Sequence, residues 1–176
     1  MMHLNKALLL VAVLGLAACN NPNRYGHGGA DGVGANGANG AGGISSAGLG
    51  DASNPRSIAY FNQAVGNTVH FLVDQSTLTP EAQQTLLTQS QWLNQNREYA
   101  ILIEGNSDER GTREYNIALG ARRAQAVQEF LSAHGVAANR MRTISYGKER
   151  PIATCDDESC WSQNRRAVTV LSQGQS

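Results

Sequence analysis

The stretch YAILIEGNSDERGTREYNIALGARR, residues 99–123, runs from an apolar segment through a polar loop into a helix. Tyr99–Glu104 is apolar up to its last residue and predicts a central β-strand. Gly105–Thr112 predicts a loop, and Glu114–His134 predicts the strongest helix of the chain. The apolar face of this helix consists of residues spaced three and four apart, namely Ile117, Gly120, Ala124, Val127 and Leu131.

The flanking sequence supplies the remaining elements of a small domain. Thr68–Val73 (TVHFLV) is rich in β-branched and aromatic residues and predicts the first strand. Thr79–Asn94 begins with Thr-Pro-Glu, which is typical of a helix start. Gly135 ends the long helix, and Met141–Tyr146 and Ala167–Leu171 predict two more strands. The order βαβαββ predicts an α+β fold, an α/β sandwich of one mixed sheet with helices packed on one face.

The N-terminus indicates export and lipid attachment. Lys6 precedes Ala7–Leu16, an uncharged apolar run that is too short to span a bilayer and is typical of a signal peptide. A buried core helix is the alternative, but the N-terminal position, the lysine and the small residues at the end argue against it. Leu-Ala-Ala-Cys at 16–19 resembles the bacterial lipobox. This resemblance implies a signal peptide over residues 1–18 and acylation of Cys19.

The lipid would fix the protein to a membrane. Two or more acyl chains are needed for lasting attachment, and a lipobox cysteine receives three. Lipoproteins kept at the inner membrane typically carry Asp after the cysteine, whereas this chain has Asn20. The resemblance therefore implies an outer-membrane protein whose domain faces the periplasm.

Residues 19–55 are predicted to form the lipidated cysteine and a flexible linker. They are rich in Gly, Ala, Asn and Ser, and such a composition cannot bury enough apolar surface to fold. A Gly-rich coil of about 36 residues spans roughly 30–36 Å. A low-complexity binding segment is the alternative, but charges and aromatic residues are almost absent. Residues 56–176 are predicted to be the folded domain.

Charge and cysteine content exclude two classes of protein. Lys plus Arg and Asp plus Glu both total 14, so the formal net charge is zero. A nucleic-acid binder normally carries a basic excess, and none is present. Three cysteines are too few for a disulfide-built scaffold, so the domain must bury an ordinary core. No cofactor is predicted.

Asp108, Asn116 and Arg123 form a candidate binding site. Asp108 lies in the loop before the long helix, and Asn116 and Arg123 lie seven residues apart along one edge of that helix. This pattern would place an anion and a cation around one cleft beside the free N–H groups of the helix start. Such a cleft suits a zwitterion, with an ammonium on Asp108 and a carboxylate on Arg123. The alternative is a solvated turn before a charged helix face, and spacing alone does not decide between them.

Three separated blocks resemble the OmpA-like peptidoglycan-binding domain. They are residues 104–123, SYGKERP at 145–151 and QNRRAVTV at 163–170, and the resemblance covers about residues 65–172. It implies that the ligand is the diaminopimelate residue of the peptidoglycan stem peptide. The ligand-binding residues that it implies are Asp108, Arg123, Asn116, Phe71 and Thr112. The supporting residues that it implies are Asp74, Asn164, Arg165 and Arg166.

The chain departs from the family pattern at two positions. Many members carry a histidine where this chain has Asn106, and an acid where it has Leu72. The lipoprotein members belong to the Tol–Pal system, bind the periplasmic protein TolB as an alternative to peptidoglycan, and serve envelope integrity and cell division. The resemblance thus implies an anchor between outer membrane and cell wall, with peptidoglycan, TolB and the Tol complex as partners.

Cys155 and Cys160 lie five residues apart, between the third and fourth strands. We expect them to form a disulfide, because an exported protein sits where disulfides persist. The small loop would gain stability at the low end of about 2–4 kcal/mol. A metal site is not predicted, since no histidine lies near this pair, and a catalytic thiol is less favoured still.

Two other functional classes are not favoured. A cell-wall hydrolase would need a nucleophile with a base, a metal, or two separated carboxylates. Asp108 with Glu109, or Asp156 with Asp157, are neighbours in turns and make poor acid–base pairs. A flagellar stator would need a transmembrane helix and a porin many alternating strands, and the sequence predicts neither. We therefore expect a binding protein and not an enzyme.

Overall fold

The computed structural model describes residues 49–173. A short helix α1 (Ile58–Tyr60) continues as a π-helical segment, Phe61–Gly66, before the first strand. The strands are β1 (Thr68–His70), β2 (Tyr99–Asn106), β3 (Met141–Gly147) and β4 (Arg166–Gln173). The other helices are α2 (Pro80–Gln95), α3 (Arg113–Ala133) and α4 (Glu158–Asn164), with a 3-10 turn at Ala138–Arg140.

The four strands form one mixed sheet in the order β1-β4-β2-β3. β4 runs antiparallel to both of its neighbours, with Val168 opposite Thr68 on one side and Glu104 on the other. β2 and β3 are parallel, and Ile101 lies opposite Met141. The predicted α+β fold with one mixed sheet is confirmed.

The core lies between the sheet and helices α2 and α3. Residues of β2 alternate, so that Tyr99, Ile101 and Ile103 are buried against the helices while the residues between them are half-buried. The helices contribute fully buried leucines, including Leu93 and Leu131. The helical side of the sheet therefore holds the core, and the ends of its strands are left for loops.

The N-terminal segment of the described chain packs on the domain. The Leu49 carbonyl accepts a hydrogen bond from the Ala59 N–H at 2.9 Å, and the Leu49 side chain packs against the core. Trp92 Nε1 donates to the Pro55 carbonyl at 2.8 Å. The folded unit thus begins before the predicted boundary at residue 56, because residues 49–55 contribute carbonyls and apolar surface to it. The predicted signal peptide, Cys19 and the rest of the predicted linker lie outside the described residues.

The prediction for the first strand was too long. β1 ends at His70, whereas the sequence predicted a strand through Val73. Phe71 still donates its N–H to the Arg165 carbonyl at 2.9 Å, but the chain then turns outward. The Leu72 side chain is 55% exposed, and Asp74 has a φ of 58°. This left-handed conformation ends the extended chain, and aspartate tolerates it better than most residues.

A glycine pair lets α3 approach the end of β2. A Cβ on Gly105 would lie 1.8 Å from the Gly120 carbonyl oxygen, and a Cβ on Gly120 would lie 2.8 Å from the Gly105 carbonyl oxygen. Ser145 on β3 donates to the Ile117 carbonyl at 2.7 Å beside this contact. The first half of α3 is therefore held directly over the carboxyl ends of β2 and β3.

Candidate functional site

A cavity of about 320 Å³ opens at the carboxyl end of β2. Its walls come from the loop after β1, the loop after β2 and the first three turns of α3. Two carboxylates and two guanidinium groups line it together with a phenol and an amide, from Asp74, Asp108, Arg110, Arg123, Tyr115 and Asn116. Formal charges within the cavity are therefore balanced.

Arg123 forms the floor of the cavity and is fully buried. Its Nε, Nη1 and Nη2 donate to the carbonyls of Gln75, Asn106 and Leu72 at 2.8, 2.8 and 3.1 Å. A guanidinium has five N–H donors. One N–H on Nη1 and one on Nη2 thus make no hydrogen bond to the described residues. Burial lowers the pKa of Arg123 to about 10, which still leaves the group protonated at neutral pH.

Asp108 is held between two arginines. Its Oδ2 accepts from Arg110 Nη2 at 2.6 Å and from Arg165 Nη1 at 3.3 Å. Burial on its own would raise the pKa of Asp108, but the hydrogen bonds from Arg110 and Arg165 outweigh it and hold the pKa below its usual value. Asp108 is therefore an anion at neutral pH, with part of its coordination already filled.

Asn116 and Thr112 make hydrogen bonds that hold the loop and the start of α3, Asn116 as a buried residue and Thr112 as an exposed one. The buried Asn116 amide donates from Nδ2 to the carbonyls of Arg110 and Thr112 at 2.7 and 3.1 Å. Thr112 is the N-cap of α3, and its hydroxyl accepts from the Tyr115 N–H at 3.2 Å. Asn116 lines the cavity, whereas Thr112 is not among its lining residues.

Asp74 and Tyr115 form the outer lip. The Tyr115 hydroxyl donates to Asp74 Oδ1, which joins the loop after β1 to the start of α3. Tyr115 is 43% exposed. The Asp74 carboxylate lines the cavity together with that of Asp108, so two acids contribute negative charge to it.

Phe71 was predicted to touch ligand, but its side chain is buried in the core and does not line the cavity. The Arg123 guanidinium carbon lies 5.1 Å from the centre of the Phe71 ring. The Phe71 ring thus acts on the cavity through Arg123, since it lies against the guanidinium that forms the floor.

The arginines after α4 sit behind the cavity. Arg165 donates to the Phe71 carbonyl at 3.2 Å and to the carboxylates of Asp108 and Glu158. Asn164 binds the loop before α4, accepting from the Ile152 N–H at 2.8 Å. Arg166 donates to the Arg150 carbonyl at 3.1 Å. Asn164 and Arg166 thus anchor backbone, and Arg165 alone of the three meets a cavity residue.

The two departures from the family pattern act differently. The Leu72 side chain points to solvent, and only its carbonyl serves the site, through Arg123. Asn106 is buried, and its carbonyl also accepts from Arg123. Among the described residues, the Asn106 Oδ1 and Ser107 Oγ atoms have no hydrogen-bond partner. Any effect of Asn106 on a ligand would therefore pass through Arg123.

Sequence reasoning missed several residues that hold the loop after β2. Arg110 pairs with Asp108, and its guanidinium lies 4.2 Å from the centre of the Trp161 ring on α4. Lys148 donates to the carbonyls of Glu109 and Gly111 at 3.1 and 2.7 Å. Lys148 lies within the block SYGKERP, so the family resemblance could have indicated it. Trp161 could not be placed from the sequence, because the residues of α4 are polar and show no helical periodicity.

Cys155 and Cys160 are joined as a disulfide with a Cα–Cα distance of 5.5 Å. The bridge closes the turn that leads into α4 and so holds Trp161 near the cavity. Within residues 49–173, no group of three or more His, Cys, Asp or Glu side chains is arranged to hold a metal ion. None of the helices in the same range is long and apolar enough to cross a membrane.

Comparison with known proteins gives the family. The model of the OmpA family matches residues 70–166. The chain belongs to the OmpA family. It is 52% identical over 168 residues to the peptidoglycan-associated lipoprotein of Mesorhizobium japonicum, covering 94% of this chain and 90% of the relative. It is 50% identical over 168 residues to the protein of that name from Agrobacterium fabrum, covering 93% of this chain and 85% of the relative.

Solved structures of OmpA-family domains agree with the fold. The crystal structure of the peptidoglycan-associated lipoprotein from Burkholderia pseudomallei is 41% identical with a TM-score of 0.61, covering 70% of this chain and 98% of that one. The C-terminal domain of Helicobacter pylori MotB is 21% identical with a TM-score of 0.58, covering 61% of this chain and 85% of that one. The MotB likeness concerns the fold alone. The relatives are named for an association and not for a reaction, which agrees with the expectation of a protein that is not an enzyme.

Proposed function

We propose that this chain binds peptidoglycan non-covalently through the cavity and anchors the outer membrane to the cell wall. The observation that carries the proposal is the set of two carboxylates and two guanidinium groups around one cavity of about 320 Å³. Relatives that match over most of the chain are named for association with peptidoglycan. The ligand would be the diaminopimelate residue of the stem peptide, whose free end is a zwitterion.

The charges of the cavity match the two ends of this ligand. The ammonium would bind the carboxylates of Asp108 and Asp74, which both line the cavity. The carboxylate would take the two N–H groups of Arg123 that bind no described residue. Hydrogen bonds between ionised groups are short and strong, and a guanidinium offers a carboxylate two parallel donors. Thr112 and Phe71 would support the site through the α3 N-cap and the Arg123 guanidinium.

The remaining parts of the proposal concern placement and partners. Cys19 would carry the lipid that holds the protein in the outer membrane, with the domain in the periplasm. The family resemblance adds TolB and the Tol complex as partners that compete with peptidoglycan. In that role the protein would serve the Tol–Pal system during cell division.

Catalysis is the weaker alternative. A general acid must hold a proton near neutral pH, and the pKa of Asp108 lies below its usual value. Both arginines that contact Asp108 keep it ionised. A binding role agrees with a permanently charged Asp108, whereas a hydrolytic role would need its pKa to be raised.

The test is sedimentation of the unlipidated chain, residues 19–176 carrying Cys19→Ser, with purified peptidoglycan. Wild type should sediment with the wall, and Asp108→Asn should stay in solution because it removes the anion and keeps the size of the side chain. Arg113→Gln is the matched control, since Arg113 pairs with Glu149 outside the cavity. Thermal unfolding of each variant separates loss of binding from loss of fold. Failure of wild type to sediment, or binding by Asp108→Asn equal to wild type, would refute the proposal.

A further inference from the structure

Arg110 forms an ion pair with Asp108, the carboxylate proposed to bind the ammonium of the ligand. Its side-chain Nη2 lies 2.6 Å from Asp108 Oδ2, and its backbone N–H donates to Asp108 Oδ1 at 3.3 Å. The ammonium of a ligand would seek the same oxygen. The free protein therefore carries an internal cation at its own cation site.

Arg110 is the cation that can leave. Its side chain is 40% exposed, whereas the side chain of Arg165, the other partner of Asp108, is 5% exposed. Arg165 is also fixed by the Phe71 carbonyl and by Glu158. A ligand can thus displace Arg110 but not Arg165 without unfolding the wall behind the cavity.

A surface for the displaced side chain is already present. The Arg110 guanidinium lies over the Trp161 ring, 4.2 Å from its centre. The indole N–H of Trp161 donates to the Glu109 carboxylate, and this bond fixes the ring beside the loop. Cation–π contact of this kind stabilises an arginine without using its N–H groups. Arg110 can therefore remain on Trp161 while its N–H groups turn to another acceptor.

We propose that Arg110 is a specificity-determining residue that selects a ligand bearing an ammonium and a carboxylate together. This inference rests on the proposed function. A tethered guanidinium competes at an effective concentration on the order of millimolar, so an amine alone displaces it poorly. A zwitterion supplies a carboxylate that receives the released Arg110 in the same step. The ion pair between Arg110 and Asp108 is thus replaced by two, one from each residue to the ligand, in addition to the contact of the ligand carboxylate with Arg123.

The test uses two stem tripeptides that differ by one carboxylate. One ends in meso-diaminopimelate, and the other ends in lysine, which has the side-chain ammonium but lacks the second carboxylate. Calorimetric titration of the unlipidated chain gives the ratio of their dissociation constants. We expect wild type to prefer the diaminopimelate peptide about 100-fold, since the absent carboxylate leaves charged donors unpaired.

In Arg110→Gln the preference should fall about tenfold, because Asp108 is then open to an amine while the carboxylate has lost one partner. The lysine peptide should bind the variant more tightly than wild type, which no loss of fold would produce. Arg113→Gln, an equally charge-reducing change outside the cavity, should keep the wild-type ratio. A ratio in Arg110→Gln equal to that of wild type would overturn the inference and leave the proposed function intact. Absence of binding of either peptide to wild type would refute the proposed function itself.

Discussion

Acid should destabilise the fold of the domain in part by protonating Asp108. Its pKa is lowered because hydrogen bonds from Arg110 and Arg165 outweigh the effect of burial. A carboxylate with a lowered pKa contributes stability that is complete above the pKa of the unfolded chain, near 3.8, and is lost as the pH falls through the lower folded value. Urea unfolding of wild type and Asp108→Asn at pH 6 and pH 3 measures this. The stability difference should shrink at pH 3, and an unchanged difference would contradict the ion pairs.

Arg123 is a structural residue as much as a ligand contact. It is fully buried, and its side chain satisfies three backbone carbonyls. Arg123→Ala should lower the free energy of unfolding by about 2–4 kcal/mol, because the carbonyls lose their donors. Arg123→Lys should lower the free energy of unfolding by less, but still by more than about 1 kcal/mol, because an ammonium cannot reproduce the planar fork of donors. Urea unfolding curves check both values. An Arg123→Ala variant as stable as wild type would show that the buried bonds contribute nothing.

The residue scale also shows the limit of prediction from sequence. Asp108, Asn116 and Arg123 lie on or beside one strong helix, so helical spacing and a family pattern were enough to predict that they meet. That Arg123 uses three of its donors on backbone could not be predicted, because its acceptors lie 17 to 51 residues away in sequence. Arg110 was missed for a different reason: its contact with Asp108 depends on the conformation of one loop.

At the scale of elements, the contact between α3 and β2 depends on Gly120. In Gly120→Ala the new Cβ would lie 2.4 Å from Ser145 Oγ and 2.8 Å from the Gly105 carbonyl oxygen. The variant should lose about 1–3 kcal/mol of stability, although alanine favours helix by about 1 kcal/mol. Adding Ser145→Ala should restore part of the loss, because it removes the nearer clash. Thermal unfolding measures both, and a stabilised Gly120→Ala would show that the elements can separate freely.

Elements with strong local signals were predicted well, and those held by tertiary contacts were not. Helix α2 begins at Pro80 behind the N-cap Thr79, as the Thr-Pro-Glu pattern predicted. β1 stops at His70 although Phe71–Val73 has β propensity, because the chain turns out at Asp74 to reach α3. α4 buries only Cys160 and Asn164 and is fixed by the disulfide, so its polar sequence has no helical period.

At the scale of the whole molecule, the two proposed attachments leave from opposite ends of the sheet. The N-terminal segment packs at the start of β2, where the Tyr99 hydroxyl donates to the Arg56 carbonyl at 2.7 Å. The cavity lies beyond the other end of β2, at Asp108. Eight strand residues at about 3.3 Å each separate the two by roughly 25 Å. A domain attached at one end and binding at the other suits a bridge between two layers.

This arrangement predicts that membrane attachment and wall binding can be lost separately. Cys19→Ser in the full chain should move the protein from the membrane fraction to the soluble periplasmic fraction, because a lipid anchor requires the thiol. Its domain should still sediment with purified peptidoglycan. Asp108→Asn should do the reverse: the variant should stay in the membrane fraction but no longer sediment with purified peptidoglycan. Cells with either variant should become sensitive to detergent, since a bridge fails when one end is free. Retention of Cys19→Ser in the membrane would refute the lipid anchor, and loss of wall binding in the same variant would show that the two attachments are not independent.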